Sequence, residues 1–233
     1  MEAFEDVAGE AVFPGEEDLI LNAVEIRRRE FVTGRRCARE ALIRLGQIPV
    51  PILAGPSREP RWPDGLVGSI THTMGFRAAA VASQKVVASI GIDTEQNAPL
   101  PEGVEEMVAV EGELEMLAAL TSTCPEAQWG RILFSAKESI YKAWYPLTGR
   151  WLGFEDVRLM IHPAGKFEAR LCNNGSRAHD GPPLSEFRGR FMMTRDLIST
   201  AVTVPPDKLH RSRTSSPKGS LHGDDDLSHR SRH

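Results

Sequence analysis

Between Asn97 and Gly103 the chain reads Asn-Ala-Pro-Leu-Pro-Glu-Gly, a text that neither a helix nor a central strand tolerates. Two prolines fix φ and remove backbone donors, and the closing glycine accepts turn geometry. This segment divides the chain, and each side reads as a helix followed by strands. On the N-terminal side Phe31, Ala38, Leu42 and Leu45 recur at helical spacing and Gly46 supplies a stop. A proline- and glycine-rich stretch from Pro49 to Pro63 is extended and turn-rich, and strands are expected over 65–72, 78–82 and 86–93. On the C-terminal side helices are expected over 104–120 and 127–145, the second stopped by Pro146 and Gly149. Strands follow over 154–161, 166–172, 187–194 and 197–204, the last two as a hairpin about Arg195-Asp196. The fold class is therefore α+β, with an N-terminal half over residues 1–103 and a C-terminal half over 104–205.

From Pro206 to His233 the composition changes to six basic residues, four acidic ones and three leucines. Such a segment cannot bury enough apolar surface to offset its ordering entropy, so a disordered tail is expected. The whole chain carries 28 Lys and Arg against 32 Asp and Glu; without the tail 22 face 28, a net of −6. That balance excludes a globally basic nucleic-acid binder. No apolar run of about 18 residues is present, so no membrane span is expected. Met1–Asp18 holds seven acidic and no basic residues, the reverse of a signal peptide, so a cytoplasmic location is expected. Three widely separated cysteines, Cys37, Cys124 and Cys172, argue against a disulfide framework and a thiolate zinc site.

Charge is unevenly placed within the body. Arg27–Arg44 holds seven arginines against two glutamates. On a helix Arg28 and Arg35 share a face, and Arg27 lies about 80° from Arg35, within reach of a common anion. Arginine suits bidentate phosphate contacts, although a solvated basic helix face accounts equally well for the stretch alone. Downstream, Asp93 and Glu95 project side by side from a strand, where mutual repulsion favours a cation between them; Mg²⁺ takes such oxygen ligands. Glu138 and Lys142 stand one turn apart on the helix that carries Ile140, Tyr141 and Trp144, and Lys137 points about 100° away. Trp62-Pro-Asp-Gly-Leu-Val-Gly-Ser-Ile-Thr-His72 turns into a strand with Ser69 and Thr71 on one face and His72 on the other. Neither a P-loop nor a dinucleotide glycine motif is present.

Taken in order, these pieces resemble one family. An arginine-rich helix, then Trp-Pro-x-Gly-x-x-Gly-Ser-x-x-His, Gly-Ile-Asp-x-Glu and Ser-x-Lys-Glu-Ser-x-Tyr-Lys are similar to the 4′-phosphopantetheinyl transferases of the Sfp and EntD type, nearest the actinobacterial branch. The resemblance runs from about Glu25 to Val204. It implies a pseudo-twofold pair of similar α/β subdomains with coenzyme A in the cleft between them, working as a monomer. It implies transfer of 4′-phosphopantetheine to a serine of apo acyl or peptidyl carrier proteins, with release of adenosine 3′,5′-bisphosphate. By position Asp93, Glu95 and Glu138 match the ligands of Mg²⁺, for which Mn²⁺ could substitute. Glu138 also matches the general base, an office a metal-bound water could fill instead, and Lys142 the lysine at the phosphates and leaving group. Arg27, Arg35, His72 and Lys137 match residues that hold the coenzyme, and Arg58 stands where many relatives carry another basic residue. The same acids and basic clamp would also serve a Mg²⁺-dependent phosphohydrolase of a nucleotide-like diphosphate.

Overall fold

The computed structural model describes residues 1–172 and 184–207. The tail expected from 206 onward falls almost wholly outside the described residues. Helix α1 (Glu25–Arg44) lays Cys37, Ala38 and Leu42 on a small core with Ile52 and Ala79. Ala79 belongs to β3 (Phe76–Ser83), the centre of an antiparallel sheet of order β1-β3-β2, with β2 at Leu66–Thr73 and β1 at Glu2–Ala3. The N-terminal strand is too short to show a period in the sequence; the Met1 ammonium fixes it by donating to the Ala79 carbonyl at 2.8 Å.

The second sheet has the order β4-β8-β7-β6-β5 and is antiparallel throughout. It contains β4 (Ser89–Gln96), β5 (Val157–His162), β6 (Lys166–Leu171), β7 (Glu186–Met193) and β8 (Leu197–Val204). The strand before the proline-rich segment therefore pairs with the last strand of the fold, and one sheet spans both sides of that segment. Against this sheet lies α4 (Trp129–Thr148), whose Ile132, Leu133, Ala136, Ile140 and Ala143 are fully buried. They meet Val157, Leu159, Phe167, Ile198 and Val202 in the main core. Each large apolar side chain so buried contributes about 1.5–3 kcal/mol. Gly91 of β4 is a glycine because α4 passes directly over it. A Cβ there would drive into the Ser139 carbonyl and lie 2.8 Å from the Ala143 nitrogen.

Two helices depart from the sequence reading. The expected helix over 104–120 is two helices, α2 (Val104–Val108) and α3 (Glu113–Thr123). Gly112 breaks them with φ 83°, and Glu113 turns back to accept the Val110 amide at 2.8 Å. Pro146 does not stop α4, which continues to Thr148 and ends at Gly149 in the left-handed region. In the last turn the proline forfeits only the bond to the Lys142 carbonyl, a cost the helix end bears.

The two sheets meet along β2 and β4 through side chains, with no backbone ladder. Ser69 Oγ accepts the Ile92 amide at 3.1 Å and Thr71 Oγ1 the Thr94 amide at 2.9 Å, while Gln96 Nε2 donates to Thr73 Oγ1 and to the Met74 carbonyl. Hydroxyls at every second residue of β2 thus replace a ladder. Beside this seam lies a cleft. Among the described residues no helix is long and apolar enough to cross a membrane, and the three cysteines are free.

Candidate active site

The cleft, about 410 Å³, is walled by α1, β2, β4, α4 and the loop at 57–60. Every site residue expected from the sequence lines it except Lys137. Arg27, Arg35, Arg58 and His72 come from one side, and Asp93, Glu95, Glu138 and Lys142 from the other. A second cavity of about 540 Å³ shares Arg27, Arg35 and Arg58 with it, so the basic wall serves both. A larger cavity, about 900 Å³, lies away from these groups and holds one arginine against two acids; chemistry, not size, singles out the cleft.

Arg35 is the most confined cation of the wall. Its Nε donates to the Ile52 carbonyl at 2.9 Å and its guanidinium stacks 3.5 Å over the Phe31 ring. Burial brings its pKa down to about 10, opposed by Glu16 and assisted by Arg39 and Arg27. It stays charged at neutral pH, and a desolvated cation gains much from an anion. Arg27 meets the His72 imidazole and lies 3.4 Å from Glu30. Burial and then the Arg27 charge push His72 down to about 4, against the pull of Glu30, so the ring is neutral at neutral pH. Arg58 is the one non-glycine described residue at positive φ, 67°. Its amide donates to the Gly55 carbonyl, and its neighbour Ser57 donates to the Tyr145 hydroxyl on α4 at 2.7 Å, so the loop bridges the two walls.

On the acidic wall, Lys142 Nζ donates to Asp93 Oδ1 at 2.7 Å and Ser135 Oγ to Asp93 Oδ2 at 2.8 Å. Arg131 Nη1 donates to Glu95 Oε2 at 3.1 Å while its other nitrogens bind the Ala98 and Pro99 carbonyls. Burial raises the Glu95 carboxyl, the Asp93 charge adding to it and Arg131 and Lys142 opposing. Burial likewise raises Glu138, with Lys142 opposing and Asp93 adding. Among the described residues no three acids or imidazoles converge closely enough to hold a metal ion as they stand. Asp93 is engaged by Lys142 and Glu95 by Arg131. The donor set still fits a hard cation, since three carboxylates share one partly dry cleft and two of them are penalised for their charge there.

Lys137 is a correction. It is 3% exposed, and its ammonium donates to Glu113 Oε2, the Val108 carbonyl and the Phe154 carbonyl at 2.8, 2.8 and 2.9 Å. All three protons are spent beneath α4, away from the cleft. Arg131 went unread in the sequence and Ser135, though it opens the Ser-x-Lys-Glu-Ser-x-Tyr-Lys motif, was given no role; they precede Glu138 by seven and three residues on the same helix face.

The profile of the 4′-phosphopantetheinyl transferase N-terminal domain matches residues 15–82, and that of the 4′-phosphopantetheinyl transferase superfamily matches residues 89–184. The chain belongs to the 4′-phosphopantetheinyl transferase family. It is 48% identical to the 4′-phosphopantetheinyl transferase Svp of Streptomyces mobaraensis over 206 residues, which cover 87% of this chain and 83% of that one. It is 45% identical to the 4′-phosphopantetheinyl transferase PptT of Mycobacterium tuberculosis, over 87% of this chain and 90% of that one. Enterobactin synthase component D of Salmonella typhimurium is more distant, 35% identical over 82% of this chain and 80% of its own length. This phosphopantetheinyl transferase is thus an enzyme of the transferase class, and its mixed helix-and-sheet architecture agrees with the family's α/β fold.

Proposed function

We propose that the enzyme transfers 4′-phosphopantetheine from coenzyme A to a serine hydroxyl of apo acyl and peptidyl carrier proteins, in a Mg²⁺-dependent reaction that releases adenosine 3′,5′-bisphosphate. The observation that carries this reading is the opposition, across one cleft, of four basic or imidazole groups to three carboxylates and a lysine. A diphosphate ester needs such a pair of walls. Arg27, Arg35 and Arg58 hold phosphate oxygens, and neutral His72 offers one N–H. Asp93, Glu95 and Glu138 would hold a divalent cation, which would supply charge neutralisation at the diphosphate. Lys142 meets the negative charge that gathers on the departing bisphosphate and returns a proton to it. Glu138, its pKa raised by burial, accepts the proton of the attacking serine, a role worth about 10²–10⁴-fold in rate. One chain supplies both walls, so the enzyme works as a monomer.

The test is to incubate the enzyme with coenzyme A, Mg²⁺ and an apo carrier protein and to weigh the carrier. The expected result is a gain of one phosphopantetheine, with Glu138→Gln slower by at least about 10². Release of bisphosphate without any gain by the carrier would overturn the transfer reading in favour of a hydrolase.

A further inference from the structure

Behind Asp93 lies a second pair of hydroxyls with no part in the scheme above. Ser135 of α4 is fully buried and Thr200 of β8 is 2% exposed. Thr200 is the residue directly opposite Asp93 in the β4–β8 ladder, so both side chains stand on the same sheet position beneath α4. Ser135 Oγ lies 2.8 Å from Asp93 Oδ2 and 3.0 Å from Thr200 Oγ1, and Thr200 Oγ1 donates to the Ser135 carbonyl at 2.9 Å.

The proton count fixes the direction of this chain. A hydroxyl has one proton. The Asp93 carboxylate already accepts from the Lys142 ammonium and has no proton to give, so Ser135 must donate to it. Ser135 Oγ is then left as an acceptor, and the Thr200 proton is shared between Ser135 Oγ and the Ser135 carbonyl. Helical serines ordinarily bond back to their own helix. Ser139, one turn on and also fully buried, does so, donating to the Ala136 carbonyl at 2.9 Å. Ser135 instead donates outward.

We propose that Ser135, held by Thr200, is a positioning residue for Asp93. It ties up Oδ2 at the dry end of the carboxylate and so presents Oδ1 alone to the cleft. Without it the carboxylate is free to turn and to offer both oxygens to Lys142, which closes the position a cation would take. The inference rests on the metal-site reading given above. Partners that orient ligating carboxylates typically govern about 10–100-fold in metal affinity.

The experiment titrates Mn²⁺ into the full-length enzyme with coenzyme A and no carrier, so that nothing turns over, and reads free Mn²⁺ by electron paramagnetic resonance. Ser135→Ala is expected to weaken Mn²⁺ binding about 10-fold or more. The shape-conserving Thr200→Val should weaken it in the same direction, and Thr200→Ser should restore it. Ser139→Ala and coenzyme A affinity without metal should remain at the wild-type value. Asp93→Asn separates the two readings. If it abolishes Mn²⁺ binding while Ser135→Ala and Thr200→Val leave binding within about twofold of wild type, the positioning role is wrong and the metal site stands. If Asp93→Asn leaves binding unchanged, the metal site is wrong and the positioning role falls with it. Should Ser135→Ala fail to fold, Thr200→Val against Thr200→Ser decides alone.

Discussion

Replacing Lys137 should damage the fold and spare the cleft. Its ammonium and the Glu113 carboxylate, each side chain 1% exposed, form an ion pair 2.8 Å apart. Glu113 also accepts the Val110 and Leu159 amides at 2.8 and 2.6 Å. Burial lowers the Lys137 pKa, against the pull of Glu113, so the charge is sustained by its partner. Lys137→Met leaves Glu113 buried without a counter-charge and removes a donor from the Val108 and Phe154 carbonyls, the second of which keeps the Val157 amide. Breaking a buried pair from one side costs about 3–5 kcal/mol, which in a chain of this size is a fall of about 6–20 °C in Tm. Glu113→Gln alone should also destabilise. The double variant should be less destabilised than the sum of the singles by about 2 kcal/mol, since removing both charges is far milder than removing one. Thermal melts with a double-mutant cycle measure this, and calorimetry with coenzyme A on the folded fraction measures the site. If Lys137→Met melts with the wild type but loses tenfold or more in coenzyme A affinity, the lysine works in the cleft and the structural assignment is wrong.

Three further outcomes follow from the same geometry. Arg58→Gly relieves a left-handed residue, so it should raise stability by up to about 1 kcal/mol while weakening coenzyme A binding; a melt and a titration that fall together would contradict the split. Gly91→Ala should cost about 1–3 kcal/mol by forcing α4 off β4, read as a lower Tm, and an unchanged Tm would show that the helix gives way freely. His72 has a folded pKa of about 4, below its ordinary 6.5. The unfolded chain therefore takes up this proton first as pH falls, and His72 contributes a loss of stability between about 6.5 and 4 that His72→Gln should remove from the pH profile of Tm.

The basic and acidic walls were legible because each rests on local spacing. Asp93 and Glu95 alternate on a strand, Glu138 and Lys142 stand one turn apart, and Arg27 and Arg35 fall on neighbouring helix faces; all line the cleft. What could not be read was set by partners distant in sequence. Lys137 sits beside Glu138 in the same motif, yet its environment is decided by Glu113, 24 residues away. The break between α2 and α3 is part local, at Gly112, and part distant, since Glu113 turns back to serve Val110, Leu159 and Lys137 at once. Pairing of β4 with β8 joins residues more than a hundred positions apart and carries no local signal.

The acidic pair and the helix above it are matched in pitch. Two residues along a strand advance about 6.6 Å, and four along a helix advance about 6.0 Å. Running in opposite directions, β4 and α4 keep step over two such intervals. Glu95 meets Arg131, Asp93 meets Ser135, and Gly91 lies under Ser139. Lys142 breaks the step and reaches back to Asp93, as a helical side chain inclined toward the N-terminus can. The glycine, the acids and the helix motif are thus one register seen from two elements. The glycine lets the helix come down to the strand, and that approach brings Arg131 and Ser135 within hydrogen-bond range of the carboxylates. A shift of α4 by a single residue would turn it by about 100° and separate all three pairs together. The Gly-Ile-Asp-x-Glu text therefore specifies where the helix lies as well as which acids face the cleft.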